Sequence, residues 1–246
     1  MPASLNIMWS SARSEAALAA QLPLPIDICP MRRARRMRLR FDEAKARLKL
    51  TCPPRTSRRK ALAWVLEQAE WIDQQMARAG PAVPFAPGGL IPVEGVDRRI
   101  DWDPSRPRKI SLEADCLRCG GPESGLARRI ELFLKAHALE TMSLEVAEFA
   151  AVAGVAARSV RVGDASSRWG SCSADGRIRL SWRLILAPPD MRRFVVAHEV
   201  AHLRHLDHGA DFKRLEAALV GPGLARARAE LRSLGPGLRR IGRGNR

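Results

Sequence analysis

His198-Glu199-Val200-Ala201-His202 constrains this chain more than any other stretch. Histidines four apart lie on one face of a helix, one turn apart, so both imidazoles can reach a single ion. Glu199 projects about 100° round the helix from His198. It misses the ion but reaches a water beside it. The pattern is that of metal-assisted hydrolysis, with two ligands and a general base on one helix. Zn²⁺ is the expected metal, because it brings the pKa of water down to about 7 in such sites. Phe194, Val195 and Val196 lead into the motif and Leu203 follows, as expected of a helix packed into a core. Pro188, Pro189 and Asp190 predict its start, with Asp190 as cap.

A catalytic zinc has three protein ligands and one open position. His205, Asp207, His208, Asp211 and Glu216 are the candidates for the third. His205 is seven residues from His198, about 10 Å along the same helix, too far to converge with the pair. His208 precedes Gly209, where the helix can stop and the chain fold back. It is the expected ligand, with Glu216 on the next helix as its rival. His205 is expected at the surface or lining the cleft. Asp207 or Asp211 is expected to orient an imidazole.

The rest of the chain reads as α+β. Residues 1–27 read as a poorly ordered leader closed by Pro23 and Pro25. Met37, Leu39 and Phe41 alternate with Arg36, Arg38 and Arg40, and Leu48 and Leu50 with Arg47 and Lys49, predicting a hairpin with one basic face. One helix is expected from a Ser57 cap to about Arg78, stopped by Gly80 and Pro81, then short strands over 82–112. These make a small α+β subdomain over 28–115. Cys116 and Cys119 read as part of an ordinary loop, and with no second pair they predict no zinc ribbon. The catalytic domain is expected over 123–220. It begins with a helix from about Leu126 to Ala153, broken near Met142, followed by a strand at Ser159–Gly163. A tight turn at Asp175-Gly176 leads to alternating Ile178, Leu180 and Trp182. Residues 221–246 read as a basic Arg/Gly-rich tail.

The charge is uneven as well as large. The net charge is +16, residues 31–60 hold 13 Lys/Arg against Asp42 and Glu43, and seven Arg stand against Glu230 from Gly221 onward. Such a field concentrates anions, so nucleotides, nucleic acid and acidic proteins are candidate partners. Few aromatics stand among the basic residues, which argues against base stacking. No apolar run is long enough to span a bilayer, and without a basic region followed by an apolar block at the N-terminus no secretory signal is expected. Free thiols in a reducing cytoplasm are expected of its five cysteines.

Arg168-Trp169-Gly170-Ser171-Cys172-Ser173, then Ile178-Arg179-Leu180, Trp182-Arg183-Leu184 and Pro188-Pro189 precede the histidine motif, which continues through Leu203, His208 and Phe212. Together they resemble the YgjP-like metal-dependent hydrolases, relatives of the SprT-like zinc metallopeptidases. The likeness is dense between Ser167 and Phe212 and loose before it. It implies a zincin-like fold, a short twisted sheet backed by helices with the metal site on a helix, and it too implies His208 as third ligand. Gly209, Ala210 and Lys213 depart from the family pattern of Ser, Pro and Trp. In that family the Arg168–Ser173 stretch borders the cleft. Trp169 is expected in the core, and Gly170 at a close backbone approach. The chain has no Tyr, so Arg168, Ser171 or His205 is left to steady an oxyanion.

Three functions follow. The first is a zinc peptidase in which Glu199 shuttles a proton to the leaving amine. The second is a nucleoside triphosphate pyrophosphatase that uses the same chemistry at phosphorus, its arginines gripping phosphate. The third is a DNA-associated module of SprT-like type, binding non-specifically through the basic hairpin and tail. The family likeness ranks the peptidase first.

Overall fold

The computed structural model describes residues 15–244. The chain forms two compact units, divided between Gly80 and Pro81. This differs from the expected boundary near residue 115, because strands from both sides of that point share one sheet and one core.

In the first unit, β1 (Ile26–Pro30) runs parallel to β3 (Arg47–Cys52), and β2 (Arg38–Asp42) pairs antiparallel on its other side. The predicted alternation holds. Leu39 stands opposite Leu50 and Phe41 opposite Leu48, while Arg38 and Arg40 face out. Ser57 caps α1 (Arg58–Leu66), its hydroxyl accepting from the Lys60 amide at 3.3 Å. The expected single helix is two, since α2 (Ala69–Ala79) starts after a break at Glu67 and Gln68. No Gly or Pro marks that break. Leu48, Leu50, Ala61, Val65 and Ile72 form the core. β1 begins inside the stretch read as a leader, and residues 15–20 are helical. Residues 1–14 of that reading lie outside the described residues.

The second unit begins with a mixed sheet in the order β4-β5-β7-β6, built from β4 (Leu90–Val93), β5 (Val96–Asp103), β6 (Ser111–Leu112) and β7 (Cys116–Gly120). Cys116 and Cys119 therefore lie on a strand, buried and free, not in a loop. β4 and β5 join through Glu94 (φ 55°) and Gly95 (φ 77°), a two-residue turn with both φ positive. A Cβ on Gly95 would meet the Pro188 Cα at 2.8 Å, so only glycine lets this turn sit there.

α3 (Leu126–Ala153) is unbroken. Met142, where a break was expected, is fully buried in a stripe that includes Leu126, Ile130, Leu134, Ala138 and Val146. A three-stranded sheet follows in the order β8-β10-β9: β8 (Ser159–Gly163), β9 (Gly170–Cys172) and β10 (Arg177–Ser181). Ile178 and Leu180 point into the core. Trp182 is buried as well, but as the first residue of a 3-10 turn, Trp182–Leu186, rather than in the strand.

α4 (Pro189–Ala201) carries the histidine motif and packs against α3. Its N-cap is Pro188, not Asp190. Asp190 lies in the first turn, where its charge suits the helix dipole. α5 (Ala210–Val220) and α6 (Leu224–Leu238) close the unit. Most of the expected basic tail is thus helix, with Ala227 and Leu238 buried. No helix among the described residues is long and apolar enough to cross a membrane.

Candidate metal centre

α4 ends at His202, its C-cap. A turn through Leu203–Gly209 then reverses the chain into α5, earlier than the expected stop at Gly209. His205 has therefore already left the helix, and its distance along the axis is not what keeps it from the site. Its backbone carbonyl lies 3.0 Å from His202 Nδ1. Gly209, the α5 N-cap, donates its amide to Asp207 Oδ1 at 2.8 Å, and this shapes the turn that brings His208 back over α4.

Nitrogens of His198, His202 and His208 all lie within 4.8 Å of one another, so the three could hold a metal ion. Their outer partners set the tautomers. Glu216 Oε1 lies 2.7 Å from His198 Nδ1. A carboxylate only accepts, so Nδ1 carries the hydrogen and Nε2 keeps its lone pair. The His205 carbonyl does the same for His202. His208 Nε2 lies 3.4 Å from His198 Nε2, and two nitrogens on one tetrahedral zinc at about 2.0–2.1 Å would be about 3.3 Å apart. Burial, together with the neighbouring His198 and His208, holds the His202 pKa below its ordinary value and favours the neutral, ligating imidazole. The donor set fits zinc.

The ring of Phe212 lies 5.1, 4.5 and 4.8 Å from those of His198, His202 and His208 and backs all three. The expected imidazole orienters stand elsewhere: Asp207 accepts from Gly209, and Asp211 pairs with Arg214. Glu216, the expected rival ligand, contacts His198 from outside. It is 2 % exposed, and Arg228 on α6 grips its other oxygen at 2.8 Å. Nothing local to the sequence singles out Arg228, because its partner lies on a different helix.

Glu199 is 5 % exposed. Burial pushes its carboxyl up to about 7, with the Arg168 charge pulling the other way. Gly170 on β9 is its close neighbour: a Cβ there would meet Glu199 Oε1 at 2.4 Å. The close approach expected at Gly170 is thus an approach to the carboxyl of the histidine helix. Cys172, two residues on, has its thiol pushed up to about 11, first by burial and then by Glu199, so it stays protonated. Trp169 is only partly buried against the core, with the Arg239 guanidinium 4.4 Å above its ring. Arg168 and Ser171 line a groove on the sheet. Beside the imidazoles, a cavity of about 490 Å³ is lined by Phe194, Phe212 and Leu224, with Lys213 and Arg228 among its polar residues.

No curated protein and no solved structure matches the chain. The model of the YgjP-like metallopeptidase domain matches residues 35–234, a span that includes the histidine motif, His208, Gly170 and Glu216. The chain therefore belongs to the YgjP-like family.

Proposed function

We propose that this chain is a zinc metallopeptidase of zincin-like fold, with His198, His202 and His208 as ligands and Glu199 as general base. One observation carries the reading: three imidazoles converge beside a buried carboxyl that only a glycine at 170 leaves room for. Zinc held there supplies a Lewis acid and an acidified water. The work of the chain's own residues is separate. Glu216 and the His205 carbonyl fix the imidazole tautomers. Phe212 holds the rings in place, and Glu199 takes a proton from water and returns it to the leaving amine. Arg168, near enough to act on Glu199, steadies developing negative charge, with Ser171 as a second candidate. A polypeptide substrate is supported by the metallopeptidase family model. A reducing, cytoplasmic setting suits five free cysteines.

The test is metal content by mass spectrometry together with cleavage of a peptide library, on protein purified without a histidine tag. The wild type is expected to hold about one zinc per chain and to cleave peptides. His198→Ala, His202→Ala and His208→Ala are expected to lose the metal. Glu199→Gln is expected to keep it and lose turnover by about a hundredfold or more. Full zinc retention in His208→Ala, or a zinc-loaded wild type that cleaves no peptide, would overturn the reading.

A further inference from the structure

The sheet β8-β10-β9 has a second face. Val160, Val162, Ile178 and Leu180 serve the core, so the alternation sends Arg161, Arg177 and Arg179 outward. The register places Arg161 directly beside Arg179 on neighbouring parallel strands, with Ser171 on the far side of Arg179. Like charges side by side on one face weaken a sheet. Here no described carboxylate relieves them. Asp175 pairs with Arg158 and Arg177, at 3.5 and 2.6 Å, and leaves the Arg161–Arg179 pair without a counter-charge. A groove of about 670 Å³ lies over this face, and Arg168 lines it too. Ser171, which also lines it, follows Gly170, where a Cβ would meet Glu199 Oε1 at 2.4 Å, so the basic groove runs up to the candidate centre.

We infer that this groove binds an acidic stretch of the polypeptide substrate, with Arg161 and Arg179 pairing with its Asp and Glu side chains. The inference rests on the peptidase reading above. Neighbouring strands lie about 4.8 Å apart, so two guanidiniums from adjacent strands can converge on one carboxylate or grip successive ones. Nucleic acid fits the groove less well, because no aromatic ring lines it. Trp169, the nearest in sequence, is covered by Arg239, which leaves no platform for bases.

Two fluorogenic peptides with the same scissile segment, one flanked by glutamates and the other by glutamines, test this on the zinc-loaded full chain. At low ionic strength, kcat/KM for the acidic peptide is expected to exceed that for the neutral one by about tenfold. In Arg161→Gln/Arg179→Gln the ratio is expected to fall to about twofold. Arg161→Lys/Arg179→Lys, which keeps the charge, should retain most of it, and high salt should erase it. Equal melting temperatures separate these effects from misfolding. A wild-type ratio near one, or an unchanged ratio in the glutamine variant, would overturn the inference. If no peptide is cleaved, the peptidase reading falls, and binding alone tests the groove. Anisotropy on Glu199→Gln then compares a labelled glutamate-rich peptide with a single-stranded oligonucleotide of equal charge. Peptide binding that the Arg161→Gln/Arg179→Gln changes abolish supports the inference. Tighter binding of the oligonucleotide, or no binding of either, overturns it.

Discussion

At residue 170 the side chain is missing because the space is taken. A methyl there would sit 2.4 Å from Glu199 Oε1 and 2.6 Å from Glu199 Cγ. Either β9 or the carboxyl would have to move. Gly170→Ala is therefore expected to lower kcat by about a hundredfold, since a shift on the order of 1 Å has that effect, while zinc content stays near that of the wild type. Loss of zinc along with activity would mean that β9 supports the imidazoles rather than Glu199. Glu216 predicts the opposite pattern. It is buried against His198 Nδ1 and held by Arg228. Glu216→Gln is expected to weaken zinc affinity about 10–100-fold, measured by competition with a chelator, with turnover of the saturated enzyme much less affected.

Among the elements, α4 is held on α3 by a buried ion pair. Arg192 Nη2 lies 2.9 Å from Glu145 Oε1, and the two residues are 5 % and 6 % exposed. Glu94, from the β4–β5 turn, approaches the same guanidinium at 3.6 Å, so the turn, α3 and α4 meet at one charge cluster. Leaving one buried charge unpaired costs about 3–5 kcal/mol. Arg192→Met is expected to lower the unfolding free energy by that amount in urea titrations. Arg192→Met/Glu145→Leu should recover most of the loss, because replacing both charges with apolar groups is often nearly neutral. A double variant as unstable as the single one would point to packing instead. The presence of the α3 helix from about Leu126 to Ala153 was legible in the sequence. Its continuity through Met142 was not, because only the neighbours on every side of that residue decide whether the helix runs on.

Over the whole second unit, one arginine ties the end of the described chain back to the sheet. Arg183 is 3 % exposed, pairs with Asp164 at 2.8 Å and donates to the carbonyls of Leu238 and Ile241. Arg243 reaches the other Asp164 oxygen at 2.6 Å. Burial pushes the Asp164 pKa up, but the Arg183 hydrogen bond and the charges of Arg183 and Arg243 outweigh it, leaving the carboxyl below its ordinary 3.8. Burial also pulls the Arg183 pKa down, more than its pairing offsets. A guanidinium keeps its proton throughout the accessible range, so the pH dependence runs through Asp164. With a depressed folded pKa, its contribution is present above the unfolded value and lost as pH falls through the folded one. Asp164→Asn is expected to destabilise the protein by about 2 kcal/mol at neutral pH. The gap to the wild type should close only below about pH 4, read from thermal melts across the acid range. A gap that stays constant with pH would mean that the loss is one of shape rather than charge.

What the sequence alone determined is what repeats along one element. The four-residue spacing that puts His198 and His202 on one face is local, as is the alternation that sorts leucine from arginine in β2, β3 and β10. Gly209 marked the reversal that made His208 the expected third nitrogen, although the helix already ends at His202. The tertiary structure decided what depends on two elements meeting. Glu216 became the partner of His198 rather than a rival ligand, because α5 runs back beside α4. Arg228 reached Glu216 because α6 packs beside both. Gly170 faces Glu199 because the edge strand of a sheet lies against a helix that starts nineteen residues later. Periodicity along a chain carries no record of where a second element crosses the first. That crossing is set by the packing of side chains from both, and it is where this chain's chemistry is assembled.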